Sequence, residues 1–123
     1  MHSDSSSTIS DLRALVARFV AERQWQPFHD PKNLAMSIAI EAAELMEHFQ
    51  WLRSDQLDDA VRENALREEL CDEMADIACY LLALSNRLDV DLAAAVERKM
   101  EKNARKYPAD QVQGHYRKPA RDR

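Results

Sequence analysis

The chain's single glycine is Gly114, so the stretch from Met1 to Gln113 lacks the one residue that takes left-handed backbone freely. Two-residue hairpin turns need that backbone at one or both central positions, so strands are not expected. Alanine, leucine, glutamate and arginine dominate instead, and these are strong helix formers. The expectation is an all-α chain, four-helix and bundle-like. Its 123 residues are enough for one modest core.

Apolar spacing and caps divide the chain. A first helix runs from about Ser10 to Gln24 behind Thr8 or Ser10 as N-cap, with Leu12, Leu15 and Phe19 on one face. Trp25-Gln26-Pro27-Phe28-His29 breaks it, and Asp30-Pro31 opens a second helix reaching about Trp51. A third helix covers about Val61 to Arg87, and Asp91 caps a fourth that ends before Pro108. Residues 1–8 are expected to be disordered, 9–108 to form the domain, and 109–123 to be a basic mobile tail.

Composition narrows the function classes. From Glu41 to Asp76 there are twelve acids against three arginines, whereas from Arg98 onward nine Lys and Arg face three acids. An acidic middle argues against a nucleic-acid partner, and it admits an anionic substrate only behind a cation. Neither a signal peptide nor an apolar run of membrane length is visible, so no membrane partner is expected. Cys71 and Cys79 project about 80° apart on one helix. They lie outside any CxxC, which points to a reducing, cytoplasmic setting.

The chemistry lies in carboxylates that interrupt apolar faces. At about 100° per residue, Leu34, Leu45 and Ile38 fall within about 60° of Glu41, and Glu44 lies one turn along. The third helix repeats the pattern: Leu66, Leu84 and Ile77 flank Glu73, with Asp76 one turn along. Two unit charges about 5 Å apart repel by about 3 kcal/mol at an effective dielectric of about 20. Solvated faces would explain one such motif; two of them in apolar arcs, without lysine or arginine on the same arcs, call for a counter-ion. Hard oxygen ligands suit Mg²⁺, with Mn²⁺ the alternative. A di-iron bundle would need Glu-x-x-His, but His48 follows Leu45 by three residues. On the fourth helix Leu92 and Val96 give way to Lys99, Asn103 and Lys106 along one face, which suits either an ordinary solvated helix end whose charges favour the dipole or an anion such as a triphosphate.

These residues carry a family resemblance. Phe19-Val20-Ala21-Glu22-Arg23-Gln24-Trp25, Phe28-His29-Asp30-Pro31-Lys32-Asn33-Leu34, Glu41-Ala42-Ala43-Glu44-Leu45 and Phe49-Gln50-Trp51 belong to it. Glu73-Met74-Ala75-Asp76-Ile77 with Tyr80-Leu81, and Lys99-Met100 with Asn103 and Lys106-Tyr107-Pro108, complete it. From about Leu12 to Pro108 the chain resembles the MazG-like all-α nucleoside-triphosphate pyrophosphohydrolases, and looks most like the dCTP pyrophosphatase branch.

The resemblance implies that Glu41, Glu44, Glu73 and Asp76 hold Mg²⁺ and do the catalysis. It implies that Trp25, Trp51 and Tyr80 help form a base pocket, and that Lys99 and Asn103 reach the phosphates. His29 and Lys106 complete the expected substrate-binding set. It further implies conversion of a (deoxy)nucleoside triphosphate, dCTP or a modified dCTP, to monophosphate and pyrophosphate. Family members assemble as homotetramers, dimers of dimers. Two positions depart from the pattern: Ile40, where many members carry a further glutamate, and Val16, where the dCTP-type branch has a base-contacting histidine. The competing reading is a non-catalytic helical oligomerisation or adaptor module on the same scaffold; retention of all four carboxylates argues against it.

Overall fold

The computed structural model describes residues 1–117, which form helices, turns and loops with no strand among them. The all-α expectation holds. Two compact units divide at Val90 and Asp91.

In the first unit, α1 spans Ile9–Glu22. Thr8 caps it: the Asp11 N–H donates to Thr8 Oγ1 at 3.1 Å, and the Thr8 N–H donates to Asp11 Oδ2 at 2.8 Å. These bonds hold the Asp11 carboxyl below its ordinary range. At the other end the Trp25 N–H reaches Val20 C=O and the Gln24 N–H reaches Ala21 C=O, which requires left-handed backbone at Gln24, φ 55°. A non-glycine residue therefore does a task usually given to glycine. A 3₁₀ turn at Gln26–Phe28 follows, braced by Asn33 Nδ2 donating to Phe28 C=O at 3.1 Å.

Helix α2 spans Pro31–Glu47, with Asp30 accepting from the Asn33 N–H at 2.8 Å. It stops short of the expected Trp51. From His48 the backbone tightens into turns, with the Phe49 N–H donating to Met46 C=O and the Leu52 N–H to Phe49 C=O. A 3₁₀ turn at Ser54–Gln56 and the one-turn α3, Leu57–Ala60, lead into α4, Asn64–Leu88. Three residues expected at the start of the third helix thus precede it.

Helix α4 packs against both α2 and α1. Leu34 is fully buried, with Val20, Leu82, Ala83 and Ser85 close behind. Burying Ser85 leaves no orphan hydroxyl, because Oγ donates to Leu82 C=O at 2.7 Å. Arg13 and Asn86 latch α1 to α4 reciprocally: Arg13 Nε donates to Asn86 Oδ1, and Asn86 Nδ2 donates to Arg13 C=O, each at 3.0 Å. Around this small core stand exposed apolar side chains, among them Met36, Ile40, Met46, Trp51 and Met74.

In the second unit α5 spans Leu92–Lys106, capped by Asp91, which accepts from the Ala94 N–H at 3.0 Å. Pro108 follows, and then the one-turn α6, Ala109–Val112. Of the expected basic tail, residues 118–123 lie outside the described residues. None of the described helices is long and apolar enough to cross a membrane.

Candidate metal centre

Helices α2 and α4 bring Glu41, Glu73 and Asp76 together, with one carboxylate oxygen from each lying within 4.8 Å of the others. Glu73 and Asp76 are neighbours one turn apart on α4, and Glu41 meets them from α2. Two oxygens, Glu41 Oε2 and Glu73 Oε2, are buried without any hydrogen-bond partner. Leaving such groups unpaired costs about 1–3 kcal/mol each, more when charged, so a fold that keeps them needs something to fill the gap. Among the described residues no lysine or arginine pairs with Glu41, Glu44, Glu73 or Asp76. The donor set is all hard oxygen, and a small divalent cation fits it.

Glu44 stands beside Glu41 but outside that close trio. Its effect shows in the acidity of Glu41. Burial first, then a hydrogen bond with Glu44, then the charges of Glu44, Asp76 and Glu73 push the Glu41 carboxyl up from 4.5 to about 7. The trio at these separations would repel by about 3 kcal/mol per charged pair at an effective dielectric of about 20, less where Asp76 is exposed.

His48 was not expected here. It follows the last residue of α2, and its ring lies between two α4 carboxylates: Nε2 is 3.3 Å from Glu73 Oε1, and Nδ1 is 3.3 Å from Glu69 Oε2. The sequence carried the signal, because seven residues return His48 to within about 20° of Glu41 on the helix face.

Beside the carboxylates lies a cavity of about 560 Å³, and Asp76 belongs to both. Val16, Phe19, Trp25, His29 and Tyr80 form much of its wall. Trp25 meets Phe19 edge-on, with ring centroids 5.7 Å apart, and Arg23 lies 3.6 Å above the Phe19 ring. Cys79 also lines the wall, and partial burial followed by the charge of Asp76 pushes its thiol up, which keeps it protonated. A second cavity of about 630 Å³ shares Val16, Val20, His29 and Ala83 with the first and adds Pro27, Asn86 and Arg87.

Of the expected substrate-binding residues, Trp25, His29 and Tyr80 thus line one apolar cavity. Trp51 does not; it stands 86% exposed in the turn after α2. Lys99, Asn103 and Lys106 belong to α5 in the second unit, where Lys99 and Lys106 are exposed and Asn103 is half-buried. Lys106 Nζ lies 5.5 Å from the Tyr107 ring centroid. Val16 is a wall residue of both cavities, and Ile40 is exposed.

Comparison with known proteins places this geometry among relatives. The sequence model of the MazG-like family matches residues 36–118. The chain is 41% identical to dCTP pyrophosphatase 1 from Bos taurus over 89% of its own length and 65% of that protein's. It is 40% identical to the Homo sapiens protein of the same name over 90% of its length, again spanning 65% of the relative. It therefore spans just under two thirds of the curated relatives it matches. A solved pyrophosphatase from Archaeoglobus fulgidus superposes with a TM-score of 0.77 at 41% identity, covering 88% of this chain and 98% of that one.

Proposed function

The chain belongs to the MazG-like family, and from that membership and its carboxylate centre we propose that it is a metal-dependent nucleoside-triphosphate pyrophosphohydrolase. The observation that carries the reading is Asp76, which is at once a member of the carboxylate trio and a wall of the apolar cavity. A base seated against Trp25 and Tyr80 would lie next to clustered acids that can hold a cation for its phosphates. The names of the relatives favour a pyrimidine deoxynucleotide, dCTP or a modified dCTP, as substrate.

Glu41, Glu73 and Asp76, with Glu44 alongside, would hold Mg²⁺, or Mn²⁺ in its place. When bound, the ion would supply charge neutralisation for the triphosphate. The chain's own groups do the rest. The cavity holds the base and excludes water from one side. A carboxylate of the cluster, with Glu44 the candidate, would take the proton of an attacking water, and attack at the α-phosphorus would release pyrophosphate. Lys99, Asn103 and Lys106 are proposed as phosphate contacts, since cations and an amide on one helix face match phosphate oxygens. Buried, unpartnered carboxylate oxygens favour catalysis over an adaptor module, which has no use for them.

The working form is proposed to be a homotetramer, a dimer of dimers. Met36, Ile40, Met46, Trp51 and Met74 leave one protomer with more exposed apolar surface than an isolated domain carries comfortably. The cytoplasm is the proposed location, where Cys71 and Cys79 stay reduced and nucleotides are plentiful. There the reaction would clear unwanted deoxynucleotides.

The test is product analysis over a panel of dNTPs and NTPs, with Mg²⁺ and with EDTA. Monophosphate plus pyrophosphate, lost in EDTA, is expected. Orthophosphate plus diphosphate would overturn the bond assignment.

A further inference from the structure

We propose that His48 is a positioning residue that sets the Glu73 carboxylate for cation binding, an inference that rests on the metal-centre reading above. With its proton on Nε2, the His48 ring donates to Glu73 Oε1 across 3.3 Å. That bond occupies one oxygen of Glu73 and leaves the other, Oε2, which is the buried and unpartnered one. A glutamate has three side-chain torsions to fix, and the imidazole removes much of that freedom before a cation arrives. The ring is 22% exposed and sits at the end of α2, with Glu69, one turn before Glu73 on α4, 3.3 Å from Nδ1, a contact that is attractive only when Nδ1 also carries a proton.

His48 is not a ligand of the centre in this arrangement, because both ring nitrogens face carboxylates. Its link to the trio runs through Glu73 alone. The arrangement also joins the C-terminal end of α2 to the middle of α4 at the point where their acids converge, so the orientation of Glu73 depends on a residue from the facing helix.

The test uses the full chain and Mn²⁺ as probe, titrated by electron paramagnetic resonance without nucleotide. Three proteins are compared: wild type, His48→Leu and His48→Gln. Leucine keeps an apolar body against α4 but cannot donate; the glutamine amide can. The dissociation constant for Mn²⁺ is expected to rise about 10–100-fold in His48→Leu, the range typical of lost outer-shell partners. His48→Gln should recover most of that affinity, although an amide is a poor substitute for imidazole as a metal ligand. Metal-free melting curves show whether each variant is folded at the titration temperature.

Equal Mn²⁺ affinity in wild type and a folded His48→Leu overturns the proposal and leaves the proposed activity untouched. Equal losses in both variants overturn it too, since they would show that donation to Glu73 is not what matters. Weakened binding in His48→Leu with recovery in His48→Gln supports it even if no nucleotide is hydrolysed, in which case the proposed activity alone fails. No Mn²⁺ binding by the wild type removes both readings.

Discussion

Replacing Glu41 by Gln should make the metal-free protein more stable while abolishing its work. Glu41 Oε2 is buried and unpartnered, and Glu44, Asp76 and Glu73 all press negative charge upon it. At the 4.8 Å spacing of the trio, each charged pair is worth about 3 kcal/mol at an effective dielectric of about 20. Asp76 is exposed, and Glu41 is only half-buried, so screening lowers the net relief to about 1–3 kcal/mol. The glutamine amide can also donate to a neighbouring carboxylate, which the native side chain does only when protonated.

The gain must depend on pH. The folded state holds the Glu41 proton up to about 7, whereas the unfolded chain releases it near 4.5. Between those values the folded state binds more protons, so wild-type stability falls as pH rises through the window. The glutamine of the variant has no proton to lose and escapes that fall. Urea melts at fixed protein concentration should therefore show the variant ahead at pH 8 and close to wild type at pH 5. Added Mg²⁺ should raise the wild-type melting temperature by mass action and leave the variant nearly unmoved. Pyrophosphate release should drop by about 100-fold or more, as expected when a metal ligand is lost. Destabilisation at pH 8, or the same gain at both pH values, would refute the account of a strained, cation-seeking cluster.

Three further outcomes follow from other parts of the structure. Asn86→Ala removes both side-chain bonds of the Arg13 latch and should cost about 1.5–3 kcal/mol in urea melts; a cost under about 0.5 kcal/mol would mean the latch adds nothing. Gln24→Gly should stabilise by about 0.5–1 kcal/mol by relieving left-handed backbone at φ 55°, read as a higher melting temperature. Trp25→Ala should raise KM for the nucleotide about 10-fold, as lost base stacking does, with kcat little changed; an unchanged KM would remove Trp25 from the base site.

Much of this was legible in residues that act locally. The single glycine foretold the helices, and Asp30 and Asp91 foretold two of their starts, with Thr8 one of two caps expected for the first, because a capping side chain bonds within three residues of itself. The pairing of Glu41 with Glu73 and Asp76 was legible in part. Helix periodicity puts each on an apolar arc, but how two arcs cross decides which atoms meet, and Glu44 fell just outside the closest trio. The end of α2 was misplaced because Phe49 and Trp51 continue its apolar spacing, while the backbone there closes shorter bonds. His48 fits no Glu-x-x-His pattern within its own helix; its partners are on α4, with Glu73 25 residues away. Helix spacing puts His48 on the Glu41 face, but which α4 carboxylates it meets there is set by how the two helices cross.

Helix α4 runs for 25 residues without a break, and along it are strung Glu69, Glu73, Asp76, Tyr80, Ala83 and Asn86. It works as a ruler: at about 1.5 Å per residue, the carboxylates and the latch stand about 20 Å apart on one rod. A ruler tolerates changes of letter far better than changes of count. One residue inserted between Tyr80 and Asn86 would swing everything beyond it by about 100°, turning Asn86 away from Arg13 while the acids stayed where they were. The same insertion among the turns between Glu47 and Asn64 would be taken up by the loop. Length variation among chains of this design should therefore collect in that connection and spare α4.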